Sequence, residues 1–193
     1  RDGFYLISNA RELLWFEESV NAGFSNINGR LIADIDLSEV CGKNIANWRP
    51  IGKRNSYTGL FDGDGHTIYG FYSKTSSSGI FYEIKGTVKN ISIKDSYVGH
   101  NNSNHGILGV STSGGTFENV EVDGVAGGDH FGADWGRGLM FGRGNGTFIN
   151  CVTRGVVGQS KQSISAQRCG AFIGSGNGTF INCVNYAEVS TFS

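Results

Sequence analysis

Three of the four histidines, His100, His105 and His130, fall in segments that also hold Asp129, Asp134, Trp135 and Arg137, with Tyr97 just upstream. Such residues could do three kinds of work. The ring of Trp135 or Tyr97 could stack on a sugar face while Asn and Gln amides bond the hydroxyls. Asp129, His130 and Asp134 could serve as an acid–base pair or ligate a metal ion. Lyase chemistry would ask for a carboxylate cluster to hold calcium and a positioned Lys or Arg base. Arg137 and Arg168, which precede strands at equivalent or near-equivalent sites, are the residues on offer for that base. The plainest reading is that these are polar turn residues serving solubility; binding without catalysis comes second. We therefore take Tyr97, His100, His105, Asp129, His130, Asp134, Trp135 and Arg137 as candidate binding residues, and none as catalytic or metal-ligating.

What must position them is a repeat. Residues 147–152 read TFINCV and residues 179–184 read TFINCV again, each preceded by Gly-Asn-Gly. Looser copies start at Thr116 and Thr87, giving a template of Thr, apolar, any, Asn, apolar. A Gly-apolar-apolar step precedes each copy, at Gly79, Gly106, Gly138 and Gly170. Short β-branched and aromatic strands cannot bury their inner faces alone, but copies stacked in parallel cover one another. Phe148, Cys151 and Thr153 should then point inward, with Ile149 and Val152 outward. Asn interrupts the alternation and reads as a corner, since it tolerates the left-handed conformation. Asn90, Asn119, Asn150 and Asn182 should form a ladder. The glycine density and the absence of a 3.6-residue period reject helical hairpins. The expectation is an all-β fold, a parallel β-helix. Segments 94–105, 123–137 and 154–168 read as insertions after the Thr/Asn strand, all emerging on one side.

Composition sets the limits. With 16 Lys+Arg against 17 Asp+Glu the chain lacks the basic excess of a nucleic-acid binder. Its 31 glycines in 193 residues follow no collagen period, with a single proline, and 12% aromatics argue against disorder. No apolar run is long enough to insert in a membrane. The length suits one domain, 1–193. Residues 9–22 read as a capping helix with Asn9 as N-cap, Glu12 completing a capping box and Gly23 closing it. Residues 30–193 read as stacked rungs, with Leu31–Leu37 as the first full strand. The chain starts with Arg1 and no cap follows the last repeat, so a fragment of a longer polypeptide, continuing at the C-terminal end, is expected.

Cys41, Cys151, Cys169 and Cys183 fit no zinc spacing. Cys151 and Cys183 hold equivalent repeat positions and read as packed thiols, although a disulfide between neighbouring rungs is within reach; the cysteines leave the redox compartment open. Asp62–His66 has the look of a calcium loop, but position 12 of an EF-hand is Ser73 here, so a turn with Gly63 and Gly65 at positive φ is expected and no cofactor is assigned. Asn-x-Ser/Thr at Asn90, Asn101, Asn145 and Asn177 reads as turn chemistry.

The run from Arg30 to Leu37, the Trp48–Gly52 segment and the stretch from Gly59 to Gly70 resemble the opening of GLUG-motif β-helix domains. So do Gly3–Asn9, Trp15-Phe16 and Val20-Asn21, and Gly106–Gly109 and Gly170–Gly174 resemble the motif itself in degenerate form. The resemblance implies a right-handed, pectate-lyase-like coil. It also implies a bacterial secreted or cell-surface protein, adhesin-like or the non-catalytic region of an immunoglobulin A-cleaving metallopeptidase. No His-Glu-x-x-His is present, so the metallopeptidase centre itself is excluded. The function expected is a structural stalk or adhesive module, with a polysaccharide or host surface protein as partner. The alternative is a polysaccharide lyase or hydrolase. That enzyme would need Asp129, His130, Asp134 and Arg137 to converge in a groove.

Overall fold

The computed structural model describes residues 3–45, 48–99, 103–127, 136–158 and 168–190. The chain opens with β1 (Phe4–Ile7), then α1 (Ala10–Asn21), β2 (Asn28–Leu31), β3 (Ile35–Asp36) and the short α2 (Ser38–Cys41). Next come β4 (Leu60–Asp62), β5 (Thr67–Tyr69), β6 (Tyr72–Ser73), β7 (Phe81–Ile84) and the long β8 (Thr87–Gly99). Later rungs comprise β9 (His105–Gly106), β10 (Gly109–Gly127), β11 (Gly136–Gly138), β12 (Phe141–Ile149) and β13 (Val152–Val157). The last described coil holds β14 (Arg168–Gly170), β15 (Ile173–Ile181), β16 (Val184–Asn185) and β17 (Glu188–Val189).

The strand pairs are all parallel, and the main ladder runs β1-β2-β4-β8-β10-β12-β15. A separate three-stranded ladder runs β9-β11-β14. This is a parallel β-helix, as the repeat requires. Thr147–Ile149 lies in register on Thr179–Ile181. Inward columns fill the core: Phe61, Val88, Phe117, Phe148 and Phe180 are successive register partners, as are Ile35, Ile68, Ile93, Val122 and Thr153. Phe148, Cys151 and Thr153 are fully buried, whereas Ile149 and Val152 are half-exposed. Each buried Phe contributes about 1.5–3 kcal/mol of transfer free energy.

The corners obey the Asn rule. Asn90, Asn119, Asn150 and Asn182 have φ between 52° and 53°. Asn150 Nδ2 donates to Asn119 Oδ1 (3.1 Å), Asn119 Nδ2 to Asn90 Oδ1 (2.9 Å), and Asn90 Nδ2 to Asp62 Oδ1 (3.1 Å). The ladder thus ends on a carboxylate one rung before the first Asn.

Several expectations need correction. Leu31–Leu37 is two strands, because the chain bends at Ile32 and Ala33; the Asp34 carboxylate after the bend accepts the Thr67 N–H at 2.9 Å. Strand pairing already starts at Phe4, upstream of the helix. In the Asp62–His66 turn the positive φ falls on Asp64 (49°) and Gly65 (86°), not Gly63. Gly63 is required for space: a Cβ there would lie 2.4 Å from the Asn90 carbonyl oxygen. Asn9 caps α1 by accepting the Glu12 N–H at 3.0 Å, but Glu12 reaches back to the Ser8 N–H (2.6 Å), one residue before the cap. Gly23, at φ 123°, follows the C-cap Ala22.

The helix plugs one end of the coil. Leu13, Phe16 and Val20 are fully buried, and Phe16 packs edge-on to Tyr57 and Phe61. Glu17 joins it to the Trp48–Gly52 segment through Arg49 Nε at 2.6 Å, and Asn21 donates to the Pro50 carbonyl at 3.1 Å. Trp48 donates to the Ile80 carbonyl at 3.0 Å. The residues that carry the family resemblance in this region are the ones fastening the plug.

Candidate functional site

Of the candidate binding residues, the structure describes Tyr97, His105 and Arg137; His100, Asp129, His130, Asp134 and Trp135 lie outside the described residues. The insertions are shorter than the sequence suggests. Residues 94–99 continue β8, residues 123–127 continue β10 and residues 154–157 belong to β13. Polar side chains there hide a strand because the backbone pairs in register: Tyr97 opposes Val125, and Val125 opposes Val156. Asp95, at φ 49°, is the extra residue that lets the strand turn its corner.

Tyr97 is half-buried, and Tyr72 stacks on it from the preceding rung with centroids 4.9 Å apart and planes 20° from parallel. The Lys74 ammonium sits 5.8 Å from the Tyr97 ring centre. One face of this ring is therefore covered by a second tyrosine, and on the next rung Val125 is its register partner.

His105 and Arg137 do come together. They are register partners on β9 and β11, and Cys169 on β14 continues the column. His105 is fully buried and Arg137 only 3% exposed. His105 Nδ1 lies 3.1 Å from the Ser103 carbonyl, so this nitrogen carries the proton, since a carbonyl only accepts. Burial pushes the Arg137 pKa down to about 10, opposed by Cys169 and Tyr97; burial likewise raises the Cys169 thiol, opposed by Arg137. Arg168 is not the counterpart of Arg137. It opposes Gly136, is exposed, and reaches Ser175 Oγ at 3.3 Å. The sequence carried a signal for this column: His105, Arg137 and Cys169 each stand immediately before the glycine of a Gly-apolar step. Those steps stack tightly, since a Cβ on Gly106 would lie 2.5 Å from the Met140 carbonyl oxygen of the next rung.

The Asp62 carboxylate is committed to the fold. It is buried, accepts the Asp64 N–H at 3.1 Å and the Asn90 amide, and lies 3.5 Å from Lys89 Nζ and 3.7 Å from Arg30 Nη2. Among the described residues no group of three or more His, Cys, Asp or Glu is placed to hold a metal ion.

Open concave surface occurs elsewhere. One groove of about 380 Å³ is lined by Asn9, Ala10, Arg11, Glu39 and Val40. A second, of about 220 Å³, lies on the outer face of β12 and β15, lined by Asn145, Gly146, Asn177, Gly178 and Thr179. There the Gly-Asn-Gly-Thr repeats stack in register, so amide lies on amide and hydroxyl on hydroxyl. Asn145 Oδ1 accepts the Gly114 N–H at 2.8 Å, which fixes that amide. Sequence reasoning read Asn145 and Asn177 only as turn chemistry and Thr179 only as the head of the repeat strand.

Comparison with known proteins agrees with the architecture. A crystal structure of a "putative immunoglobulin A1 protease" from Bacteroides ovatus has a similar fold, with a TM-score of 0.52 over 98% of this chain and 79% of that one, at 18% identity. At that identity the likeness bears on fold alone. No family model and no curated protein matches the chain. Among the described residues no helix is long and apolar enough to cross a membrane.

Proposed function

We propose that the chain is a non-catalytic module of a secreted or cell-surface bacterial protein, of the GLUG β-helix type, acting as a rigid stalk that binds glycan or a host surface protein along its side. The observation that carries this reading is the fate of the described candidate residues. His105 and Arg137 are buried in the wall of the coil and Tyr97 is stacked on Tyr72, so none of the three is presented to an open groove. What the coil presents instead is periodic polar surface, of which the Asn145–Thr179 groove is the concave part. Amides and hydroxyls repeating once per rung, roughly every 4.8 Å, suit a ligand with repeating hydroxyls. The fold it shares with a protein named for immunoglobulin A1 cleavage supports a part in a host-facing protein; metallopeptidase chemistry of the His-Glu-x-x-His kind would have to come from elsewhere, since that motif is not present.

The test is retention of the purified chain on arrays of glycans and of host matrix proteins. Saturable binding, competed by soluble ligand and weakened at least about tenfold by Asn177→Ala with unchanged melting, supports the reading. Blank arrays across all classes leave only the stalk. Cleavage of a polysaccharide, followed as new reducing ends or unsaturated products, would replace it with the enzyme.

A further inference from the structure

The position that follows the corner Asn is apolar in the early rungs, Ile91 and then Val120, and becomes Cys151 and Cys183 in the last two. The two cysteines sit side by side across one rung step. Val184 N donates to the Cys151 carbonyl at 2.9 Å, and the next residues, Val152 and Val184, are register partners. Their thiols are set alike. Cys151 Sγ approaches the Phe117 carbonyl at 3.4 Å and Cys183 Sγ the Phe148 carbonyl at 3.3 Å, each reaching back one rung. The Cys183 thiol therefore leans towards the rung that carries Cys151. Neighbouring parallel strands hold Cα atoms about 4.8 Å apart, inside the roughly 4.4–6.8 Å range of disulfides. Rotation of one side chain, at the loss of a weak thiol–carbonyl contact, completes the approach.

We infer that Cys151 and Cys183 are a cross-rung disulfide site, closed under oxidising conditions, that staples the last described coil to the one before it. The two positions differ in access. Cys183 is half-buried and Cys151 fully buried. Burial, with the Cys183 thiol adding to it, pushes the Cys151 thiol up to about 12. Cys183 is accordingly the entry point. Its thiolate attacks a small disulfide such as oxidised glutathione, expelling one glutathione thiolate and leaving a mixed disulfide. Cys151 then gives up its proton and attacks Cys183 Sγ, expelling the second glutathione. Two protein thiols are oxidised to one disulfide and one small disulfide is reduced to two thiols. The cross-link closes a loop that contains β13, β14 and β15 and depends on no ligand.

The experiment treats the folded, reduced chain with oxidised glutathione and maps the products by mass spectrometry. The expected product has lost two hydrogens and yields one linked peptide pair carrying Cys151 and Cys183. Cys183→Ser gives no link, and Cys151→Ser stops at a glutathione adduct on Cys183. The oxidised chain melts roughly 5–15 °C higher than the reduced one. Thiols that stay alkylatable after prolonged oxidation, a link to Cys41 or Cys169, no adduct on Cys183 in Cys151→Ser, or an unchanged or lower melting temperature would each overturn the inference.

Discussion

Phe148 and Phe180 lie one rung apart in register, their ring centroids 5.0 Å apart and their planes 15° from parallel. Phe117 extends the stack at 4.9 Å. The identical hexapeptides that carry Phe148 and Phe180 are thus stacked copies of one strand, and the environment of each ring depends on its place in the column. Phe148 is fully buried, whereas Phe180, on the outermost described rung, is 46% exposed. Phe148→Ala should cost about 3–5 kcal/mol and Phe180→Ala well under half of that. Urea unfolding of the two variants decides it, and equal losses would mean that Phe180 is covered in solution.

The Asn corner makes a sharper demand. Asn119 has φ 53°, donates to Asn90 and accepts from Asn150. Asn119→Ala loses both bonds and strains the backbone, for about 2–4 kcal/mol in all. Asn119→Gly loses the bonds without the strain and should cost less by about 1–2 kcal/mol. Denaturation midpoints of the pair, at equal m-values, measure the difference; an Ala variant as stable as the Gly one would dismiss the left-handed corner.

Acid should loosen the coil through Asp62. Burial alone would push its carboxyl pKa up. The Asp64 N–H, the Asn90 amide and the Lys89 and Arg30 charges outweigh that and hold it below the ordinary value. A carboxyl whose pKa is lower in the folded chain gives its full stabilisation above the unfolded value of about 3.9 and loses it as pH falls through the folded one. The urea midpoint should be flat above about pH 5 and fall below about pH 4. Asp62→Asn, which keeps an acceptor for the Asp64 N–H, should show a shallower fall, and parallel pH profiles would exclude Asp62 as the source.

At the plugged end, Arg49 covers the buried carboxylate of Glu17. Because Arg49 itself is half-exposed, Arg49→Ala should cost about 1–3 kcal/mol, short of the 3–5 typical of fully buried pairs. Restoring a neutral partner with Arg49→Ala and Glu17→Gln together should recover most of the loss. A thermodynamic cycle on these variants tests it, and additive losses would show that the two residues do not interact.

The core and its corners were legible because both rest on short-range rules that repeat: an apolar residue two places before an Asn and another one place after it, with Thr at the head. Phe148, Cys151 and Asn119 could be placed from that template alone. The extents of the strands were not, since Lys94–Gly99 looks like a loop until Val125 and its neighbours supply backbone partners. The Gly63–Asp64 exchange was missed for a related reason: the glycine answers to the next rung, Asn90 and Ile91, and not to its own turn. Pairing Arg137 with Arg168 followed residue type where the Gly-apolar step gives the register, and a shift of one residue separates a buried arginine from an exposed one.

The plug of α1 gives the solenoid a polarity under load. Every rung is held to the next by hydrogen bonds lying along the coil axis, so a pull along that axis loads the seams in series and the weakest parts first. Among the described residues the strands at Val184 and Val189 pair only with β13, whereas the coil behind the helix is anchored by Leu13, Phe16 and Glu17. Pulled as this 193-residue chain, the molecule should therefore part first at the Val184–Val189 seam, while the coil under the helix stays wound.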